Sequence, residues 1–202
     1  MSDVRLFEAK IITLGDSKVG KTCLIGKFID NKFAQNYLST IGFDIRQKKI
    51  KLDNGKEIKV VLYDTAGQEK FRSLSTSYIK KAQGVLLIYD ITDPDSFAHI
   101  SSWVDDINSK CKEKIPVVLI GNKSDLEQNR KVKAEDGKAL GEKYGYNFYE
   151  TSCKNGNNVN KSFKDIVNQV YDKYGGIVEQ NKVLQHSTLK PKKEAKCCWT
   201  IF

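Results

Sequence analysis

The sequence has few of the residues that are typical of extracellular, membrane-spanning or nucleic-acid-binding proteins. Its 202 residues include three prolines, five cysteines, two histidines and one methionine. Only four of its 34 basic residues are arginine, and since proteins that read nucleic acids rely on arginine forks, we expect no nucleic-acid partner. The longest apolar stretch, residues 84–91, is too short to span a bilayer, and residues 1–10 lack the apolar core of a signal peptide. We therefore expect a cytoplasmic protein.

The cysteines exclude a disulfide framework and a zinc site. Cys23, Cys111 and Cys153 stand alone in the sequence, without the spacing of paired metal ligands. Cys197 and Cys198 are adjacent and close to the end. Of the net charge of +9, residues 175–202 contribute five lysines against two glutamates, or +3, which suits an anionic membrane surface better than a duplex.

Apolar runs that alternate with helical patterns predict an α/β fold with a mostly parallel sheet. The predicted strands are 7–14, 43–52, 57–63, 85–91, 115–120 and 147–150, with a hairpin turn at 53–55. The predicted helices are 21–29, 94–110 (capped by Asp93), 134–144 and 159–174. We expect Gly175 and Gly176 to end the last helix, which gives a domain over 1–174 and a flexible tail over 175–202.

Residues 15–22, GDSKVGKT, match the phosphate-binding pattern G-x-x-x-x-G-K-[ST] between a strand and a helix. The glycines let backbone N–H groups turn inward around a polyphosphate at the positive end of the helix dipole. Lys21 is then expected to contact the β- and γ-phosphates, and the Thr22 hydroxyl to bind Mg²⁺.

A second acidic motif, DTAGQE at 64–69, follows an apolar strand. Asp64 is expected to hold a metal-bound water, because Mg²⁺ retains several waters in its shell. Gly67 is expected to donate a backbone N–H to the terminal phosphate, and Gln68 to orient an attacking water as the catalytic residue.

The choice of base is predicted from residues 122–125, NKSD, after another buried strand. Guanine presents N1–H and N2–H₂ side by side, and one carboxylate, Asp125, can accept both. Adenine would leave that carboxylate unpaired, so the site discriminates strongly. Asn122 is expected to join this loop to the phosphate loop, with Lys123 along the base. Backbone N–H groups of residues 152–154 are expected near guanine O6, and Phe33 is expected to cover the base.

Together these motifs resemble those of Ras-superfamily small GTPases. The segments IGFDI (41–45), KFRSL (70–74) and YIKKA (78–82), with the double cysteine, are similar to the Rab family, nearest its secretory-pathway members. The resemblance covers residues 7–174. It implies a P-loop NTPase G domain, with a six-stranded, mostly parallel sheet flanked by five helices. It also makes Thr40 a Mg²⁺ ligand beside Thr22 and Asp64.

The resemblance implies a membrane-associated GTP switch in vesicle traffic that hydrolyses GTP slowly. Its expected partners are an exchange factor, a GTPase-activating protein, effectors, an escort protein and a dissociation inhibitor, and we expect a monomer on the cytosolic face of endomembranes or the plasma membrane. The expected nucleotide contacts are Ser17, Lys18, Val19, Gly20, Lys21, Thr22, Cys23, Phe33, Thr40, Gly67, Asn122, Lys123, Asp125, Ser152, Cys153 and Lys154. The expected effector and switch residues are Ile41, Gly42, Phe43, Asp44, Tyr63, Phe71 and Tyr78.

Three departures from the Rab pattern are visible. Tyr63 stands where most Rab proteins have Trp, and Cys153 replaces the usual Ala. A C-a-a-X box requires Cys fourth from the end, where this chain has Trp199. Rab-type geranylgeranylation is less tied to position, so Cys197 and Cys198 are the expected lipid sites.

Three alternatives remain open at the level of sequence. A constitutive binding module would hold nucleotide without turnover, although Thr40, Asp64 and Gln68 are intact. A nucleotide kinase or ATPase would use the same phosphate loop, although it would need a lid with phosphate-binding arginines. A Ras-like signalling GTPase is disfavoured by residues 41–45 and by the double cysteine.

Overall fold

The computed structural model describes residues 6–32, 43–65 and 77–187, with backbone alone at residue 43 and residues 176–187. Six strands form one sheet: β1 Phe7–Leu14, β2 Phe43–Lys51, β3 Glu57–Thr65, β4 Gly84–Asp90, β5 Val117–Asn122 and β6 Asn147–Thr151. Five α-helices have bounds in the described residues: α1 Lys21–Asp30, α2 Pro94–Ala98, α3 Ile100–Lys110, α4 Ala134–Tyr144 and α5 Val159–Ser187. A 3₁₀ helix spans Ser124–Asn129.

The strand order is β2-β3-β1-β4-β5-β6, and β2 is the one antiparallel member. This confirms the predicted six-stranded, mostly parallel α/β fold. From β1 the chain first fills one side of the sheet with β2 and β3, and then crosses to β4 on the other side. In open sheets of this kind, ligands bind outside the carboxyl ends of the strands at the point where the order reverses.

The core lies on both faces of the sheet, as continuous apolar strands require. One cluster joins β1 to α1 and α5, where the rings of Phe28 and Phe163 stack with centroids 4.0 Å apart. The other joins β4 and β5 to α3 through buried residues such as Trp103 and Ile107. The bulk of the sheet is therefore a rigid support for the loops at its carboxyl edge.

The structure confirms two predicted local features, the hairpin turn at 53–55 and the helix cap at Asp93. The β2–β3 hairpin closes with the Gly55 N–H on the Leu52 carbonyl at 2.9 Å, and Gly55 has a φ of +82°. The Asp93 side chain caps α2 by accepting from the Asp95 N–H at 3.2 Å. The predicted single helix 94–110 is divided at His99 into α2 and α3.

The predicted end of the last helix at Gly175 and Gly176 is wrong, because α5 continues to Ser187. A helical glycine costs only about 1 kcal/mol relative to alanine, and it permits a helix end without imposing one. Just before the glycines the helix is anchored, since Lys173 bonds to the Lys114 carbonyl and the Tyr174 hydroxyl donates to Glu113 at 3.0 Å. The division into 1–174 and 175–202 stays a prediction.

Within the described residues, no helix is both long enough and apolar enough to cross a membrane.

Candidate nucleotide-binding site

The phosphate loop follows β1 and leads directly into α1. Its backbone requires glycine at two places: Gly15 has a φ of +136° and Gly20 a φ of +98°. A Cβ at Gly15 would lie 2.0 Å from the Ile88 carbonyl oxygen, so the loop runs directly against β4. A Cβ at Gly20 would lie 2.4 Å from the Asn122 amide nitrogen. The loop therefore lies against β4 and against Asn122, the last residue of β5.

The Lys21 side chain points into the loop rather than to solvent. Lys21 is 5% exposed, and its Nζ donates to the carbonyls of Gly15 at 2.9 Å and Asp16 at 2.6 Å. Burial lowers the pKa of Lys21 to about 8, although the charges of Asp64 and Asp16 oppose this shift. A buried cation whose hydrogen-bond partners in the described part of the chain are carbonyls favours an anionic ligand, and a polyphosphate is the ligand that this type of loop accommodates.

Asp64 supplies a buried carboxylate near the end of β3. It has no exposed surface, and neither of its oxygens is paired at normal hydrogen-bond distance within the described residues. Burial raises the pKa of Asp64, while the nearby Thr22 hydroxyl and the Lys21 ammonium oppose the rise. Such an orphaned carboxylate is costly unless a cation or a bound water completes it.

These residues fit a Mg²⁺ site shared between protein and ligand. Carboxylate and hydroxyl oxygens are the donors that Mg²⁺ prefers, and Asp64 and Thr22 provide them side by side. Among the described residues, no group of three His, Cys, Asp or Glu side chains could hold a metal by itself.

Asn122, the last residue of β5, connects three segments. Its Nδ2 donates to the Val19 carbonyl in the phosphate loop at 2.8 Å. Its Oδ1 accepts from the Thr151 hydroxyl at 3.0 Å and from the Cys153 thiol at 3.7 Å. The predicted connection between the NKSD segment and the phosphate loop is present in the structure, and it reaches the loop after β6 as well.

Asp125 lies beside the loop that follows β6. The Ser152 hydroxyl donates to Asp125 Oδ1 at 2.5 Å, which positions the carboxylate. Ser152 Oγ also accepts from the Lys154 N–H at 3.1 Å. The predicted backbone donor at Lys154 is therefore engaged within its own turn in this structure.

Lys123 has a left-handed backbone conformation, with a φ of +68°. This directs its side chain across to the end of β4, where Nζ pairs with Asp90 Oδ2 at 2.5 Å. The Asp90 carboxylate also accepts from the Thr92 N–H and hydroxyl, both at 2.8 Å. The aliphatic stem of Lys123 is held in place by these contacts, as a base-stacking role requires.

Sequence reasoning did not identify the role of Asp16 in the phosphate loop. Its carboxylate accepts from Trp103 Nε1 at 2.9 Å and contacts His99 Nδ1 at 2.6 Å. His99 and Trp103 are four residues apart at the start of α3, so they lie on one face of that helix. The i, i+4 spacing was visible in the sequence, but its partner more than 80 residues away was not.

Several predicted site residues lie outside the described residues. Of the predicted nucleotide and catalytic residues, these are Phe33, Thr40, Gly67 and Gln68. Of the predicted effector and lipidation residues, they are Ile41, Gly42, Phe71, Cys197 and Cys198.

The described part of the predicted effector surface divides into exposed and buried residues. Asp44 and Ile45 are exposed on β2, with Ile45 49% exposed. Tyr63, which pairs with Ile45 across the β2–β3 ladder, is 8% exposed and its ring contacts Tyr78 at a centroid distance of 5.6 Å. Tyr63 is therefore a buried residue that packs beneath the exposed part of this predicted surface, and little of its ring is accessible to a partner.

Comparison with known proteins agrees with this geometry. The Ras family profile matches residues 10–172. The chain is 39% identical to Ras-related protein Rab-13 of Bos taurus over 189 residues, 94% of this chain and 90% of that protein. It is 40% identical to Ras-related protein SEC4 of Saccharomyces cerevisiae over 175 residues (87% and 79%), and 41% identical to Ras-related protein Rab-1D of Dictyostelium discoideum over 176 residues (87% and 86%). The chain therefore belongs to the Ras family, as a small GTPase of the secretory Rab type.

Proposed function

We propose that the residues at the carboxyl edge of the sheet bind guanine nucleotide and make this GTPase a two-state switch in vesicle traffic. The observation that carries the assignment of the site is the bonding of Asn122 to both Val19 and Thr151. It holds the phosphate loop and the two base-reading loops in one unit, so a nucleotide with both phosphates and base can bridge them. Asp125 then selects guanine by accepting from N1–H and N2–H₂.

Mg²⁺ is the proposed cofactor, held by Thr22, Asp64 and Thr40. When bound, it neutralises negative charge on the phosphates. The Asp64 carboxylate supports this proposal, because it is buried and neither of its oxygens has a partner at normal hydrogen-bond distance among the residues that the structure describes. Lys21 contributes the second positive charge from inside the loop.

The proposed switch depends on the γ-phosphate. Thr40 and Gly67 bind only when that group is present, so its loss releases both of their segments. Gln68 orients the attacking water and is the proposed catalytic residue. Of the four arginines, Arg46 pairs with Asp30 and Arg130 with Glu150, so neither is available as a catalytic cation. Hydrolysis is expected to be slow until an activating protein supplies an arginine, which is worth ~10³–10⁵-fold in such enzymes.

The proposal is tested by nucleotide content and single turnover. Purified protein is denatured, and the released nucleotide is identified by ion-exchange chromatography. A single turnover of GTP is then followed with and without Mg²⁺, and in a Gln68→Leu variant. Gln128→Leu is the matched control, because Gln128 is exposed on the 3₁₀ helix.

We expect guanine nucleotide and Mg²⁺-dependent turnover that Gln68→Leu slows and Gln128→Leu does not. Bound guanine nucleotide without any turnover would instead support the constitutive binding module. Release of adenine nucleotide would contradict the role of Asp125 and most of the proposal.

Rab proteins act with regulators and effectors at the cytosolic face of membranes. For this chain we propose an exchange factor, an activating protein, an escort protein and a dissociation inhibitor as partners of the monomer. Effectors are proposed to bind the segment 41–45 together with Phe71 and Tyr78. The exposure of Asp44 and Ile45 on the sheet edge supports this surface.

Membrane attachment is proposed to occur through prenylation of Cys197 and Cys198. At ~0.8 kcal/mol per buried CH₂, one chain gives marginal binding and two give stable binding. The test is mass spectrometry after incubation with a Rab-type geranylgeranyl transferase and its escort protein. Two added prenyl groups are expected, falling to one in Cys197→Ser or Cys198→Ser, and no addition would contradict the proposal.

A further inference from the structure

The Arg130 guanidinium uses all five of its N–H donors. Nε and Nη2 donate to the two carboxylate oxygens of Glu127, at 2.8 and 2.7 Å. Nη1 and Nη2 donate to the two carboxylate oxygens of Glu150, at 2.6 and 2.9 Å. Nη1 also donates to the Val132 carbonyl at 2.9 Å. One side chain, 17% exposed, is therefore bonded to three separate positions in the chain.

The two glutamates belong to the segments that carry the predicted base contacts. Glu127 lies in the 3₁₀ helix Ser124–Asn129, which also contains Asp125. Glu150 lies in β6, two residues before Ser152, whose hydroxyl donates to Asp125 at 2.5 Å. Arg130 therefore joins the 3₁₀ helix to the β6 segment at a second point, in addition to the bond between Ser152 and Asp125.

The segment around Arg130 is itself anchored to the sheet. The Arg130 N–H donates to the Glu127 carbonyl at 3.1 Å, which closes the end of the 3₁₀ helix. The next two N–H groups, of Lys131 and Val132, both donate to the Ile91 carbonyl just after β4, at 2.9 and 3.0 Å. A shift of the 3₁₀ helix away from β6 would therefore break the bonds of the guanidinium, because the segment that carries Arg130 is held at β4.

We propose that Arg130 is a positioning residue for base recognition, which holds the 3₁₀ helix against β6 so that the Asp125 carboxylate faces N1–H and N2–H₂ of guanine. The inference rests on the proposed role of Asp125. Lysine could not replace this arginine, because its single nitrogen has no planar fork with which to bond two carboxylates bidentately. Arg130 acts on the base through Asp125, whereas the phosphates contact Lys21, so its loss should reduce the selectivity for guanine.

Inosine diphosphate (IDP) provides the test, because hypoxanthine keeps the N1–H of guanine and lacks its N2 amine. The wild type is expected to bind GDP on the order of a hundredfold more tightly than IDP, the ratio for one hydrogen bond to a charged group. Arg130→Lys is expected to reduce this ratio about tenfold, as measured by competition of each nucleotide with labelled GDP. Equal weakening of GDP and IDP would show a merely structural role and would overturn the proposal.

Arg46→Lys is the matched control for the same chemical change. Arg46 pairs with Asp30 at 2.6 Å and lies on β2, at the opposite edge of the sheet from β6. The ratio of GDP to IDP affinity is expected to be unchanged in this variant. A decrease as large as that of Arg130→Lys would contradict a specific role for Arg130.

Glu150→Gln tests the same contact from the other side, and its result does not depend on whether Arg130→Lys folds. The amide replaces one of the two oxygens that accept from Arg130, so the GDP preference over IDP is again expected to fall. The double variant is expected to lose no more selectivity than the more affected single variant, because both changes remove one contact. A double loss equal to the product of the single losses would show that the two residues act separately, which contradicts the proposal.

Hydrogen exchange followed by mass spectrometry measures the contact without any nucleotide. In the nucleotide-depleted full chain, Arg130→Lys is expected to speed exchange in peptides covering 124–132 and 147–154, but not in peptides of α3. Unchanged exchange in both segments would overturn the positioning role. A wild type that does not distinguish GDP from IDP would instead overturn the proposed role of Asp125, while faster exchange in Arg130→Lys would still support the joining of the two segments.

Discussion

The Asn122 amide donates to the Val19 carbonyl at 2.8 Å, so the end of β5 is bonded to the middle of the phosphate loop. Asn122 is 1% exposed, and Gly20 leaves the space through which its side chain reaches the loop. Within the sheet, β4 lies between β1 and β5, so this contact passes over one strand. This bond therefore fixes the position of the phosphate loop relative to the end of β5.

Replacing Asn122 by alanine is expected to weaken both the fold and nucleotide binding. The change leaves the buried Val19 carbonyl without its partner and costs about 2–3 kcal/mol in the free energy of unfolding. Urea unfolding of nucleotide-depleted protein measures the first effect, and the rate of GDP release measures the second. Asn160→Ala is the control, because Asn160 is exposed on α5 and is expected to change neither quantity.

Two glycines of the same region are expected to respond to alanine in opposite directions. Gly15→Ala would place Cβ 2.0 Å from a backbone oxygen at a φ of +136°, and we expect a loss of more than about 3 kcal/mol in stability. Gly26→Ala adds a methyl group inside α1 with nothing within 4 Å, and we expect a gain of roughly 0.5–1 kcal/mol from helix propensity. Thermal unfolding of the wild type and of the two variants measures both changes in stability. Equal effects would show that the close approach to β4 is not rigid.

Asp125→Asn is expected to change base selectivity rather than the fold. The amide replaces one acceptor by a donor, so guanine loses charge-assisted bonds of about 1.5–3 kcal/mol each and binds on the order of a thousandfold more weakly. Xanthine presents a carbonyl where guanine has the amine, and its affinity is expected to rise. Competition between labelled GDP and xanthosine diphosphate measures both changes. Asp136→Asn removes one exposed carboxylate elsewhere and is expected to alter neither affinity.

The sheet was predictable because its strands are encoded locally. The run VLLIYD over 85–90 is buried on both faces, and uninterrupted apolar strands of this kind indicate a parallel sheet covered by helices. The phosphate loop and the NKSD segment were predictable for a similar reason, since each depends on residues adjacent in sequence. Parallel strands then bring their carboxyl ends to one edge without further information.

The sequence did not predict features that depend on weak local preferences or on contacts between residues far apart in the chain. Two consecutive glycines, Gly175 and Gly176, predicted the end of α5, but their cost is small beside the contacts that Tyr174 and its neighbours make with the β4–β5 side of the domain. The contacts of Trp103 and His99 with Asp16 join residues far apart in the chain. No local pattern encodes such pairs, because they depend on where the sheet places two separate loops.

Lys21 is expected to make the free energy of unfolding of the nucleotide-free protein increase at alkaline pH. Burial lowers its pKa from 10.5 to about 8, because the charged form loses its hydration inside the loop. Between these two values the unfolded chain binds the proton and the folded chain does not. Stability therefore increases as the pH rises through this window, by up to about 3 kcal/mol from this group, and the contribution is absent below pH 8.

The pH dependence due to Lys21 is measured as the difference in the free energy of unfolding between wild type and a Lys21→Met variant. This difference cancels the effect of other groups, which titrate in both proteins. Urea unfolding of nucleotide-depleted protein is followed from pH 7.5 to about 10.5, a window taken from the two pKa values of Lys21. The free energy of unfolding of the wild type should increase relative to the variant across this range.

A difference that is flat with pH would show that the ammonium is well solvated in the empty loop. A difference of opposite sign would show that Asp64 and Asp16 stabilise the charge more than burial destabilises it. With excess GDP the slope should disappear, because the phosphates hold Lys21 in its charged form.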